Sequence, residues 1–474
     1  MVVLHELGFS PFEWSMSDRV SGAPMEFIIR LDCWGTVDAA KFAEAISQEL
    51  KRQPLLQANA TVGSTHRESY WRPASNCTPE IQWCEGNPDH GSGFPEDFAP
   101  IDLENEIGFR FYGWRFRVND QPRTVMKFVY HHACCDGKGG LGFAEHTFHR
   151  YQCLLDEKNA SRDDSFVIDE QKIHNRNLPA VCNLSFFSRV WRAVVVRPQR
   201  AGNMLLSKPR LFAESTSMAG GDDAGIFAEP PKQCTTEFSE DETKRIGAYA
   251  KTLSATTNTI LAGELFHVLH GHLEGSSEPN NKRNLRILLP FSLRDERHLR
   301  MPAANCVSMA YMEVGEKFLR DNNSDNHVLV AELARQINFI RRWNLQYSWI
   351  ESLDLYARFL PIVRFFKFGK KGRSRNMAPI ATTVMTNLGS VFSGSELVDS
   401  QGELAVEGLV VKSVHVLPPC NGSTIVNFSI NFYGNRLTLD AVYLPSLLAQ
   451  ETANGLLGEW RRRILDSVTA AAQL

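Results

Sequence analysis

The amino-acid sequence predicts an α/β (mixed α+β) chain in two lobes, and three observations carry that prediction. A chain of 474 residues suits two or three domains, each with its own core. Both halves alternate apolar, β-branched or aromatic runs with amphipathic stretches of helical period. A stretch with the Gly, Ser and Pro content of a linker, "AESTSMAGGDDAGIFAEPP", lies between them. The expected boundaries are an N-terminal lobe over 1–212, a linker over 213–232 and a C-terminal lobe over 233–474.

In chain order, "EFIIRLDCWG" reads as a strand and "VDAAKFAEAISQELKRQP" as an amphipathic helix. Asp38 is placed to cap that helix, Phe42, Ile46 and Leu50 share a face, and Pro54 stops it. Strands follow through Ile107–Val118 and Val125–Tyr130. In the second half "CTTEFSEDETKRIGAYA" passes from strand to helix, with Ser239 and Glu242 at capping-box spacing. The next helix, "TNTILAGELFHVLHGHL", carries Glu264-x-x-His267. That spacing is half of a carboxylate-bridged metal site, but no second half is evident, so no metal is expected.

Composition excludes several function classes. Basic and acidic residues nearly cancel, 51 against 54, so no global field recruits nucleic acid. Ten cysteines are scattered without C-x-x-C spacing, which suits reduced thiols in a cytoplasmic protein. The N-terminus lacks a basic start followed by a long apolar core, and no window reaches the roughly eighteen uninterrupted apolar residues of a membrane span.

The densest polar chemistry is "HHACCDG", His131 to Gly137. The apolar stretch "RTVMKFVY" precedes it, and "GKGGLGFAEHTFHRYQCLL" follows, with Leu141, Ala144, Phe148, Tyr151 and Leu155 at roughly helical spacing. The motif is therefore a strand-to-helix turn at the mouth of the fold. A metal site built from His131, His132 and Asp136 is disfavoured, because adjacent strand residues point to opposite faces.

His131-His132-x-x-x-Asp136-Gly137 resembles the signature of the chloramphenicol acetyltransferase-like superfamily of CoA-dependent acyltransferases. Peptide-synthetase condensation domains and alcohol O-acyltransferases belong to it. Further stretches agree in the family's order: "AISQELKRQPLLQA", "LLPFSLRDERHLRMPAANCVSM", "TNLG" at Thr386–Gly389 and "NFSINFYGNRLTL" at Asn427–Leu439. No "DFGWG" stretch is present, which favours the condensation-like or alcohol-acyltransferase branches over the plant branch and leaves CoA contacts unassigned. The resemblance implies two lobes, each a mixed sheet flanked by helices, with the active-site tunnel between them.

It also implies the chemistry. His132 would be the general base in direct attack on a thioester, and an imidazole near neutral pKa suits that task. Asp136 would pair with Arg294 rather than with the imidazole, Gly137 would permit close approach of backbone, and His131 would support the turn. Asn305 and Ser429 are candidates for holding the oxyanion or positioning substrate, or are structural. The reaction implied is transfer of an acyl group from acyl-CoA or a carrier-protein thioester to a hydroxyl, by a free-standing, monomeric enzyme with no permanently bound cofactor. The alternatives are an N-acyltransferase or amide-forming condensation enzyme, and a catalytically inactive binding scaffold. Cys134 and Cys135 are expected to be small buried side chains rather than nucleophiles.

The stretch "YARFLPIVRFFKFGKKGRSR", Tyr356 to Arg375, interleaves Phe359, Phe365, Phe366 and Phe368 with basic residues and no acid. It is either a packed helix followed by a solvated basic loop or a segment for peripheral contact with an anionic membrane.

Overall fold

The structure is a computed structural model that describes residues 7–17, 23–88, 99–156, 167–176, 187, 209–212, 229–274, 284–322, 326–366, 381–420 and 424–471. The expected linker lies almost wholly outside these residues. So do 367–380 and the side chains of Tyr356 and of 359–366, and with them most of the basic aromatic segment.

The first half contains α1 (Pro11–Ser15), β1 (Glu26–Gly35), α2 (Ala39–Leu50), β2 (Ala58–Thr61), β3 (Tyr70–Pro73), β4 (Glu80–Glu85), β5 (Phe109–Val118), β6 (Gln121–His131) and α3 (Gly137–Leu155). The expected cap and stripe of α2 are both present. Asp38 accepts from Ala40 and Lys41, and Phe42, Ile46 and Leu50 are buried. The Phe42 ring packs on Phe111, Phe128, Phe148 and Tyr151 with centroids 5.2–6.3 Å apart, which joins α2 and α3 to one face of the sheet. α3 lies so close to β1 that a Cβ on Gly140 would meet the Phe27 ring at 3.0 Å.

The second half contains β7 (Lys232–Glu237), α4 (Glu240–Thr252), α5 (Thr257–Glu274), β8 (Asn284–Ser292), β9 (Val307–Gly315), α6 (Glu316–Asp321), α7 (Asn326–Arg342), α8 (Ser348–Phe366), β10 (Thr383–Ser390), β11 (Ala405–Val406), β12 (Leu409–Leu417), β13 (Val426–Tyr433), β14 (Arg436–Tyr443) and α9 (Gln450–Ala471). Ser239 and Glu242 form the expected capping box at the start of α4. On the helix side of this sheet, Trp460 of α9 packs edge-on against Phe428 at 5.3 Å and donates to the Leu261 carbonyl of α5. Glu264 is taken up by Arg463 Nε at 3.0 Å, Asn326 Nδ2 at 2.5 Å and the Ser467 hydroxyl. Among the described residues no group of three or more His, Cys, Asp or Glu is placed to hold a metal.

Two six-stranded sheets form the two lobes, in the orders β11-β12-β1-β6-β5-β4 and β7-β14-β13-β10-β8-β9. Both are mixed: β4 runs parallel to β5 in the first, and β10 runs parallel to β8 and β13 in the second. Sheet membership crosses the expected lobe boundary, because β11 and β12 come from the second half yet extend the first sheet along β1. The chain then returns to β13, so the two sheets share one continuous segment. Among the described residues no helix is long and apolar enough to cross a membrane.

Candidate active site

The motif turn begins where β6 ends. His131 is still paired with Glu26 of β1, and its N–H donates to Gly108. The His132 N–H donates to Met25 at 2.7 Å, so the backbone leading into both neighbouring strands, β1 and β5, grips the turn. The His131 ring is buried, and its Nδ1 accepts from the Ala133 N–H at 3.1 Å; this histidine serves the turn itself.

His132 points elsewhere. Its ring lies between Phe27, centroids 5.2 Å apart, and Phe12, 6.0 Å apart. Nδ1 is buried and makes no well-formed hydrogen bond. Burial pulls its pKa below the ordinary histidine value, against the opposing pull of its own backbone and of the Asp136 charge. The imidazole is therefore neutral at neutral pH and able to take a proton.

Asp136 does not bond to that imidazole. It caps α3, with Oδ1 accepting from the Gly139 N–H at 2.9 Å, while Oδ2 accepts from Arg294 Nη1 at 2.5 Å and from the Cys306 N–H at 2.8 Å. Burial alone would raise the Asp136 pKa, but Arg294 and the two backbone N–H groups hold it below the usual carboxylate range. Arg294 also donates through Nη2 to the Ala304 carbonyl at 2.8 Å. Asn305 reaches back from the same loop: its Nδ2 donates to the carbonyl of His132 and, at 3.0 Å, to that of Ala133.

Two candidates for the oxyanion are thus already engaged. Both N–H bonds of Asn305 serve the motif backbone, and only its Oδ1 is buried without a partner. The Ser429 hydroxyl, on β13, donates to Asp440 Oδ2 at 3.3 Å. Neither presents a free donor. The expectation for Gly137 also needs correcting. A Cβ there would meet the side chains of Leu388 at 3.0 Å and Val416 at 3.8 Å, whereas close approach of backbone occurs at Gly139, where a Cβ would lie 3.2 Å from the Ala304 nitrogen. The Gly137 contacts nonetheless place the turn between the lobes, since Leu388 belongs to β10 of the second sheet and Val416 to β12 of the first.

No protein-family model and no curated protein matches this sequence. Solved structures do match over nearly the full length. A trichothecene 15-O-acetyltransferase from Fusarium sporotrichioides superposes with TM-score 0.67 at 13% identity, covering 97% of this chain and 94% of its own. The first condensation domain of the CDA synthetase gives TM-score 0.62 at 12% identity over 98% and 96% of the two chains. An epimerization domain from the third module of tyrocidine synthetase B gives 0.60 at 11% identity over 98% and 97%. The chain has the fold of the chloramphenicol acetyltransferase-like condensation domains.

On this condensation fold the motif turn faces the second lobe, and sequence reasoning missed part of what surrounds it. Phe12 and Phe27 flank the His132 ring, and nothing in their sequence spacing marks them for that place. Glu49 lies on α2 and Gln53 just after it, and Gln53 reaches the site by accepting from the Ala303 N–H, 250 positions away. The one available signal was a glutamine inside "KRQPLL", between a helix end and a proline. Cys134 and Cys135 are fully buried, and burial pushes both thiols well above their ordinary pKa, which makes them poor nucleophiles.

Proposed function

We propose that the protein is an acyltransferase that moves an acyl group from a thioester, acyl-CoA or carrier-protein-bound, to a hydroxyl acceptor, with His132 as general base. The observation that carries this reading is an imidazole held by its backbone at a turn between two lobes, packed on Phe12 and Phe27 with Nδ1 not committed to a hydrogen bond, while the neighbouring carboxylate is committed to Arg294. As the acceptor oxygen attacks the thioester carbonyl, its proton passes to the His132 imidazole. The tetrahedral intermediate then collapses, the C–S bond breaks, and the imidazolium returns the proton to the departing sulfur. No acyl-enzyme is needed, because attack is direct and both substrates are held between the lobes. The likeness to a trichothecene O-acetyltransferase supports a hydroxyl acceptor. The likeness to peptide-synthetase condensation domains supports a second reading, in which an amine attacks and an amide forms.

The test is thiol release by purified protein from acyl-CoAs of graded chain length and from carrier-protein thioesters, against alcohol and amine acceptors. His132→Ala is expected to stay folded, with a melting midpoint lowered modestly by the space left between Phe12 and Phe27, and to lose roughly 10²- to 10⁴-fold in turnover, the usual contribution of a positioned base. Near wild-type turnover in that variant would overturn the mechanism. An absence of thiol release from wild-type protein with every pair, beside measurable ligand binding, would favour a binding scaffold.

A further inference from the structure

We infer that Gln53 is a positioning residue for His132, acting through the loop 303–306; the inference rests on the reading of His132 as the base. Gln53 closes the turn after α2, with its N–H on the Leu50 carbonyl at 2.9 Å, and Pro54 keeps the helix from continuing. Its side chain is buried and used at both ends. Nε2 donates to Glu49 Oε1 at 2.6 Å, and Oε1 accepts from the Ala303 N–H at 2.6 Å. Glu49 is fully buried and is fixed in turn by two residues of α3, Arg150 Nε at 2.8 Å and His146 Nδ1 at 3.2 Å.

These bonds close a circuit. From its cap at Asp136, α3 runs to His146 and Arg150, which hold Glu49; Glu49 holds Gln53, and Gln53 holds Ala303. The next three residues of that loop return to the motif. The Ala304 carbonyl accepts from Arg294 and from the Asp136 N–H, Asn305 grips the His132 and Ala133 carbonyls, and the Cys306 N–H donates to Asp136. The loop therefore grips the turn carrying His132 on one side and is held by Gln53 on the other. The amide does both tasks at once at any pH, donating to a carboxylate and accepting from an N–H, and Asn is one methylene too short. Releasing Ala303 would let the loop, and the imidazole it orients, drift. A displacement of about 1 Å at a reacting group can cost on the order of 10²-fold in rate.

The experiment compares Gln53→Leu, Gln53→Asn and Gln53→Glu with wild type and His132→Ala. It reads kcat and both KM values on the substrate pair found by the thiol-release panel, together with the titration of the His132 ring by NMR, assigned through the His132→Ala spectrum. Gln53→Leu is expected to lower kcat at least about tenfold, with both KM values within about twofold of wild type, and to move the His132 titration. Gln53→Glu keeps the acceptor for Ala303 and is expected to recover activity relative to wild type at the same pH as the pH falls and its carboxyl takes a proton next to Glu49. If Gln53→Leu does not fold, the Asn and Glu variants carry the same comparison. A kcat within twofold of wild type together with an unmoved titration would overturn the inference, as would kcat and KM declining together without recovery in the Glu variant. An active His132→Ala overturns the base assignment instead; an inactive His132→Ala beside a wild-type-like Gln53→Leu overturns only the role of Gln53.

Discussion

His132 and Asp136 are four positions apart and are held for different purposes. The imidazole sits among aromatic rings and is kept neutral by burial, whereas the carboxylate is kept charged by a guanidinium and two N–H groups. Because burial holds the His132 pKa below the ordinary histidine value, the acid limb of the kcat/KM profile is expected to have its midpoint below that value; a pH–rate profile with a midpoint above it would overturn this. The Asp136–Arg294 pair is largely buried, so either single alanine leaves a charge without its partner and should cost about 3–5 kcal/mol. The double alanine variant should lose less than the sum, by roughly 0.5–3 kcal/mol, in denaturant unfolding. Additive losses would separate the two residues.

At the scale of elements, the site exists because a helix N-terminus, a strand end and a loop from the other half of the chain meet within backbone contact. α3 starts on Asp136, β6 stops at His131, and the loop before β9 lies over the first turn of α3. Gly139 is where helix and loop touch. Gly139→Ala should push the Ala304 backbone away, lowering both the melting midpoint and turnover. Gly142→Ala, one turn along the same helix and with open space around it, should be neutral or gain about 0.5–1 kcal/mol from helix propensity. Equal behaviour of the two variants in thermal melts and thiol release would refute this account of the contact.

Across the whole molecule, the lobes are joined by the chain's passage from the second half into the first sheet at β12, and by charge. His415 on β12 is buried, with Nδ1 2.9 Å from Asp440 of the second sheet and Nε2 3.3 Å from Asp32 of the first. Burial would lower its pKa, but the two carboxylates win and push it up to about 10, so the ring is charged at neutral pH. A raised pKa means that the folded state holds its proton longer than the unfolded chain. The stabilisation is therefore complete below the ordinary value of 6.5 and disappears as the pH rises towards about 10. His415→Gln should accordingly melt well below wild type near pH 6, with the gap closing towards pH 10. A gap independent of pH would show that the ring acts by packing alone.

The local instructions were legible because they depend on near neighbours. The Asp38 cap, the Phe42, Ile46 and Leu50 stripe, the Ser239–Glu242 box and the strand-to-helix turn at His131–Gly137 all follow from spacing of three or four residues or from alternation. Family likeness extended that reading to the two-lobed fold and pointed to Arg294 beside Asp136. What lay beyond it were contacts between segments distant in sequence, which no periodicity encodes. The val-rich run of β12 reads as a buried strand in either sheet, and only the open edge of β1 places it in the first. Asn305 and Ser429 are polar residues of the right type, and only the carbonyls and the carboxylate they face show that their donors are already engaged. Gln53 reads as a helix-terminal polar residue until the fold brings Ala303 to it. Sequence spacing determines the elements and the chemical type of each site residue, because those are properties of a few adjacent side chains. Which donor remains free, and what holds the base in place, is decided by tertiary packing, because a hydrogen bond depends on where two distant segments come to rest.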